Sequence, residues 1–304
     1  MRKGWVEETE EQEQEKQRAA TPSSALPSFK PSFVLGGEAG LNMARLAKSS
    51  VMQSAMQASK VRREVSVAER NHMRAMQQHA YTHWVDYHLA KIQYFIEDMS
   101  KDMCDGVLLI NLLQVLTGES IGICSDKPEM TIFEKMENVN KAMNWLRSKG
   151  MNMRGYGPED ILDGNVNVIS AIIWSIISVS SVHPFDAQNT TETKAKQLLL
   201  QWCQQQVQGY PSVRIDNLDL SWQDGLGFCA LLHKYRPDMI DYNAALNQGD
   251  DRIDYVMALL AENFGVTPIL LPADLKKKDF KPDERSVFAF LTVLREVLTC
   301  ALID

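Results

Sequence analysis

A chain of 304 residues, 45% of them apolar, is long enough for about two domains with a core each. The formal net charge is −7, and the two parts that read as folded are both acidic: residues 71–183 hold 9 basic against 13 acidic groups and residues 191–304 hold 12 against 16, which excludes general nucleic-acid binding. No run of about eighteen apolar residues occurs, Met1 to Glu15 carries six glutamates where a secretory signal would be apolar, and five cysteines lack CxxC spacing, so a cytoplasmic chain with reduced thiols and no transmembrane segment is expected.

Residues 1–40 are charged and glutamine-rich, then carry Pro22, Pro27 and Pro31, a composition that predicts disorder. Residues 41–75 lack proline, and Ala44, Ala47, Val51, Ala55, Ala58 and Val65 approach one stripe, which predicts a helical extension. A stripe of small side chains buries little per turn, so this helix is expected to pack on the first domain or order on a partner, with self-association through it as a further use.

The first domain, residues 76–183, opens with Tyr81, Trp84, Val85, Leu89 and Ile92 at helical spacing. Asp105-Gly106 then leads into Val107 to Leu113, apolar on every side and therefore a buried central helix. A third helix is predicted at Glu134 to Ser148, with Val139, Ala142, Met143, Trp145 and Leu146 inward and a stop at Gly150, and a last one at Val166 to Val179 after Asp163-Gly164.

Residues 184–191 lack periodicity and read as a linker. The second domain, residues 192–304, repeats the order: Leu198, Leu199, Trp202 and Val207, then Asp224-Gly225 before Leu226 to Leu232, then Arg252 to Asn263 stopping at Gly265, then Glu284 to Leu298 after Pro282-Asp283. Trp84 pairs with Trp202, Asp105 with Asp224 and Asp163 with Asp283, at offsets of 118, 119 and 120 residues. Offsets so nearly constant indicate a duplicated domain of four main helices plus short ones, and the chain is all-α.

The segments Tyr81-Thr82-His83-Trp84-Val85, Asp105-Gly106, Ile161-Leu162-Asp163-Gly164-Asn165 and Ile172-Ile173-Trp174 resemble a type 1 calponin-homology domain. Leu200-Gln201-Trp202-Cys203, Gly209-Tyr210-Pro211, Ser221-Trp222-Gln223-Asp224-Gly225, His233 to Asp238 and Lys281-Pro282-Asp283-Glu284 are similar to type 2. The order, over roughly residues 70–300, resembles the tandem actin-binding domain of the α-actinin, spectrin, filamin and cortexillin superfamily. The resemblance implies an F-actin-binding module of an actin-organising or crosslinking protein of the cytoskeleton and cell cortex. Domain 1 would be the main contact and domain 2 the modulator. The alternatives are a phosphoinositide-regulated membrane-cortex adaptor and a scaffold for a non-actin partner.

Carried over by position, the first actin surface is Gln77, Gln78, His79, Thr82 and His83; the second includes Asn165, Asn167 and Ser170; a third is Lys194, Lys196 and Gln197. Relatives usually place lysine or arginine in the first surface, which here is glutamine and histidine. His72, His79, His83 and His88 would gain charge below a pH of about 6.5, so tighter filament binding in mild acid is expected. A phosphoinositide site would use Tyr210, Arg214, His233, Lys234 and Arg236. Trp174 is the expected interdomain residue, but Asn243-Ala244-Ala245-Leu246-Asn247 after Asp241-Tyr242 offers no lysine to hold it, so a closed pair needs other contacts.

Catalysis is not expected, since nucleotide-binding and acyl-transfer motifs are lacking. No cofactor or metal is expected either: Cys229 and His233 are two candidate ligands without a third, and Asp102, Asp105, Asp250, Asp251 and Asp254 read as turn and helix-start acids.

Overall fold

The computed structural model describes residues 38–182, 188–277 and 280–300. The disorder expected for residues 1–40 falls largely, and the linker partly, outside the described residues. The chain divides into two units at Arg62/Arg63. Both helical domains belong to the second unit, and the first unit enters only through the bounds of the first helix.

That helix, α1, runs unbroken over Glu38–Leu89, so the extension and the opening helix of the first domain are one element. The first domain continues with α2 (Met99–Asp102), α3 (Val107–Thr117), α4 (Ile132–Ser148), α5 (Pro158–Leu162) and α6 (Val166–Ser180). The second comprises α7 (Glu192–Gln206), α8 (Leu226–Tyr235), α9 (Tyr242–Asn247), α10 (Arg252–Phe264), α11 (Pro272–Leu275) and α12 (Glu284–Cys300). No strand occurs among the described residues.

The duplication reaches individual atoms. Asp105 Oδ1 accepts the Val107 N–H and Asp224 Oδ1 the Leu226 N–H, both at 2.9 Å. The intervening Gly106 and Gly225 adopt φ of 77° and 74°, and a Cβ on either would come within 2.6 Å of the third helix, at Val139 or Ile253. Only glycine combines that backbone with that approach. Beside each turn a buried polar residue pins the loop entering the third helix. Asn138 bridges Cys124 N–H and Ser125 C=O, and Arg252 donates to the carbonyls of Ala245, Leu246 and Asp224.

Capping residues set the helix starts: Thr131 and Glu134 form a capping box on α4, and Thr191 accepts the Lys194 N–H on α7. Asn165 Oδ1 accepts the Val168 N–H on α6, while Asp283 Oδ2 accepts the Ser286 N–H on α12. The structural counterpart of Asp283 is therefore Asn165 rather than Asp163, since a capping oxygen must stand one residue ahead of its helix.

Trp84, Ile110, Leu113, Val139 and Met143 lie in the first core, and Trp222, Phe228 and Phe290 meet in the second, tilted and then edge-on, with centroids 4.8 and 5.2 Å apart. Two positions expected to face inward do not. Ile92 is exposed because α1 ends at Leu89 and the chain turns through a 3-10 segment to a left-handed Gln93, and Leu198 is exposed on α7.

Candidate functional site

From His72 on, α1 and the 3-10 turn that follows it lie against the second domain. The His72 ring packs on Phe280 with centroids 5.2 Å apart and stands 3.7 Å from Asp274. Gln77 Nε2 donates to Asp283 Oδ1 at 2.9 Å, and a ring nitrogen of His79 meets the Pro268 carbonyl at 2.9 Å. Trp84 Nε1 donates to Thr292 Oγ1 at 3.0 Å, and Lys91 pairs with Glu296. On the same side Arg295 donates to the Ser181 carbonyl at the end of α6. The second domain holds the opening helix mainly through α12 and the segments before it.

Trp174 on α6 is buried at this contact. Its indole N–H donates to Glu192 at 2.9 Å, its ring meets Phe288 edge-on at 5.3 Å and lies 6.1 Å from Tyr81. The Arg285 guanidinium sits over the same ring at 4.8 Å and Lys196 Nζ at 5.6 Å. The cation missing after Asp241-Tyr242 is thus supplied from α12 and α7, an attraction of about 0.5–2 kcal/mol. Burial raises the Glu192 carboxyl, but Lys196, Trp174 and Arg285 outweigh it and hold the group below the usual carboxylate range.

The residues carried over as the first actin surface lie along this contact. Gln77 and His79 are half-buried and bonded to the second domain, and Thr82, 9% exposed, donates to the Gln78 carbonyl. Gln78 is exposed, and His83 is half-buried with its ring 4.3 Å from that of His79. The histidines do not form one acid-charged group. Burial and Lys91 pull the buried His88 down to about 3, and burial with the neighbouring His79 lowers His83, so neither gains charge near its ordinary pKa.

Asn165 and Asn167 are exposed at the start of α6 and Ser170 is half-buried one turn on. Asn167 and Ser170 share a cleft of about 230 Å³ with Gln77 and Gln78, which joins the first and second surfaces. Of the third surface, Lys194 and Gln197 are exposed, Lys194 Nζ donating to the Asn189 carbonyl, whereas Lys196 is engaged by Glu192 and Glu284 at 2.8 and 2.7 Å.

The five phosphoinositide candidates meet existing partners or stand apart. Tyr210 hydroxyl and His233 Nδ1 are 2.8 Å apart, and Cys229 is buried. Arg214 pairs with Asp216 and Arg236 with Asp238, each at 2.8 Å, while Lys234 is exposed.

Pro268 and Thr292 join the site as partners of the opening helix that no local sequence signal marked, and Asp283, marked only as a helix start and motif residue, is a third. The solvent-facing pair Ile132 and Phe133, the latter 81% exposed at the start of α4, is likewise outside the expected surfaces. Among the described residues no group of three metal-capable side chains occurs, and no helix is long and apolar enough to cross a membrane.

Two copies of one helical domain, joined through α1, α6 and α12, make a tandem helical module. Both copies match the calponin homology (CH) domain, at residues 75–181 and 193–299, and the chain belongs to that family. It is 34% identical over 225 residues to alpha-actinin-like protein 1 of Schizosaccharomyces pombe, covering 73% of this chain and 35% of the relative. It is 37% identical over 219 residues to alpha-actinin-1 of Mus musculus, covering 71% of this chain and 24% of the relative. The chain therefore spans about a third or less of these relatives' length. Among solved structures, the actin-crosslinking core of Schizosaccharomyces pombe fimbrin shares the fold, with a TM-score of 0.52 over 73% of this chain and 48% of that chain at 19% identity.

Proposed function

We propose that this chain is an F-actin-binding module of a cytoskeletal actin-organising or crosslinking protein, with the first domain as the main filament contact and the second domain restraining it. The observation that carries the reading is the engagement of Gln77 and His79 by the second domain through donor–acceptor pairs with Asp283 and Pro268. A face with matched polar partners loses them when it binds elsewhere, so pairing of the domains and binding of a filament compete. The family membership and the likeness to an actin-crosslinking core support actin as the partner. Crosslinking needs two filament sites in one particle, which self-association of the chain would provide. The place of action is the actin cytoskeleton.

Cosedimentation of the whole chain with actin filaments tests the reading, run beside Trp174→Ala, which removes the interdomain anchor, and beside a chain lacking residues 1–70. The wild type pellets saturably and Trp174→Ala more strongly. No filament-dependent pelleting by either one removes the reading, and binding to anionic vesicles in its place points to the membrane-cortex alternative.

A further inference from the structure

The cleft between α1 and α6, whose Gln77, Gln78, Asn167 and Ser170 the actin reading counts as contacts, also carries two arginines and a buried tyrosine that it does not use. Its lining includes Arg74 from α1, Arg285 from α12, and Tyr81, Asn167 and Ser170, and no carboxylate lines it although the chain is acidic overall. Arg74 is exposed and has no acidic side chain within salt-bridge distance among the described residues. Val166 and Asn167 open α6, a helix of 15 residues, so their N–H groups have no acceptor within the helix and carry the positive end of its dipole. Tyr81 is 1% exposed; the Arg285 guanidinium is the neighbour of its oxygen, and its O–H proton has no acceptor among the described residues. A buried donor left without an acceptor loses about 1–3 kcal/mol, which marks the hydroxyl as waiting for one.

The nearest acids are already engaged. Asp283 receives Gln77 on one oxygen and the Ser286 N–H and hydroxyl on the other, and Glu192 is held by Trp174, Lys196 and Arg285. Tyr81 remains a phenol at neutral pH, because burial and Asp283 push its pKa up by more than the neighbouring Arg285 lowers it.

We infer that this cleft binds one phosphate-type oxyanion. Arg74, the first N–H groups of α6, the Ser170 and Tyr81 hydroxyls and Arg285 converge on it from three helices, which suits a tetrahedral group with acceptor oxygens in several directions. At about 230 Å³ the cleft is smaller than the roughly 300–1,000 Å³ of sites for larger ligands, so it takes the phosphate group itself. Because Arg285 comes from the second domain and the other groups from the first, the bound anion ties the two together. The site is separate from Tyr210, Arg214, His233, Lys234 and Arg236, and it does not depend on the actin reading.

Isothermal titration calorimetry of the full chain with inorganic phosphate, at ionic strength held constant with sodium chloride, tests it. The expected result is saturable binding at one site, about ten- to a hundredfold weaker in Arg74→Ala, a few-fold weaker in Tyr81→Phe, and unchanged in Arg154→Ala, which alters an exposed arginine away from the cleft. Circular dichroism checks that each variant keeps its helices. Inositol trisphosphate in a parallel titration separates the sources: affinity no higher than that of phosphate fits the small cleft, whereas tighter binding that survives Arg74→Ala assigns the anion to another surface and overturns the proposal. Absence of saturable phosphate binding, or binding equal in wild type and Arg74→Ala, also overturns it.

Discussion

His88 lies beneath Trp84 with ring centroids 4.3 Å apart, and Lys91 Nζ stands 3.3 Å from its Nδ1. With its pKa pulled down to about 3 in the folded protein, the unfolded chain takes up the proton first as pH falls. Stability from this group is complete above about 6.5 and declines by about 1.4 kcal/mol per pH unit as pH drops towards 3. Urea unfolding should therefore show a loss of about 2 kcal/mol between pH 7 and pH 5 from this source, with a shallower pH slope in His88→Gln; equal slopes would mean that His88 protonates in the folded state. By sequence His88 groups with histidines that gain charge in mild acid; its place four residues after Trp84, on the same helix face, is the signal for burial that this grouping passes over. The positions of His79 and Gln77 were not legible, because their partners Pro268 and Asp283 lie in the other domain, more than 180 residues away. Glycine roles were legible where a repeat exposed them: Asp-Gly before an apolar run, twice, located both left-handed turns.

Among the elements, α12 shows why the pairing of domains was only half readable. Ser286 to Leu294 is buried on every side, the pattern of a helix covered from two directions, yet the sequence alone does not say that the second cover is α1. The helix existence and order came from 3.6-residue periodicity and caps, which are local. The end of α1 depended on a left-handed Gln93, which no glycine or proline announced, and so Ile92 was misplaced. The contact between α1 and α12 centres on the Trp84 indole and the Thr292 hydroxyl, which in turn donates to the Ala289 carbonyl. Thr292→Val keeps the shape but leaves a buried indole N–H unpaired, while the Ala289 carbonyl keeps its helical partner. It should destabilise the paired arrangement by about 1–3 kcal/mol, seen as an increased radius of gyration in small-angle scattering. An unchanged radius together with an unchanged melting temperature would show that the bond contributes nothing.

For the molecule as a whole, the lysine-poor contact helix and the missing latch lysine take on a different meaning once Arg285 is seen over Trp174. The cations over Trp174 come from Arg285 and Lys196, so pairing of the domains in this structure does not need a lysine after Asp241-Tyr242. If filaments engage only the unpaired arrangement, the apparent affinity falls by the fraction of molecules unpaired, and any change that weakens pairing raises affinity by the same factor until pairing is lost. Arg285→Ala removes a cation–π contact of about 1 kcal/mol and the pair with Glu192, and should tighten filament binding about fivefold in cosedimentation. Combined with Thr292→Val the gains should multiply at first and then level off at the affinity of the unpaired first domain, because one equilibrium can be shifted only until it is exhausted. Gains that keep multiplying without a ceiling would mean that these residues touch the filament directly, and a loss of affinity in Arg285→Ala would assign the second domain to the filament contact.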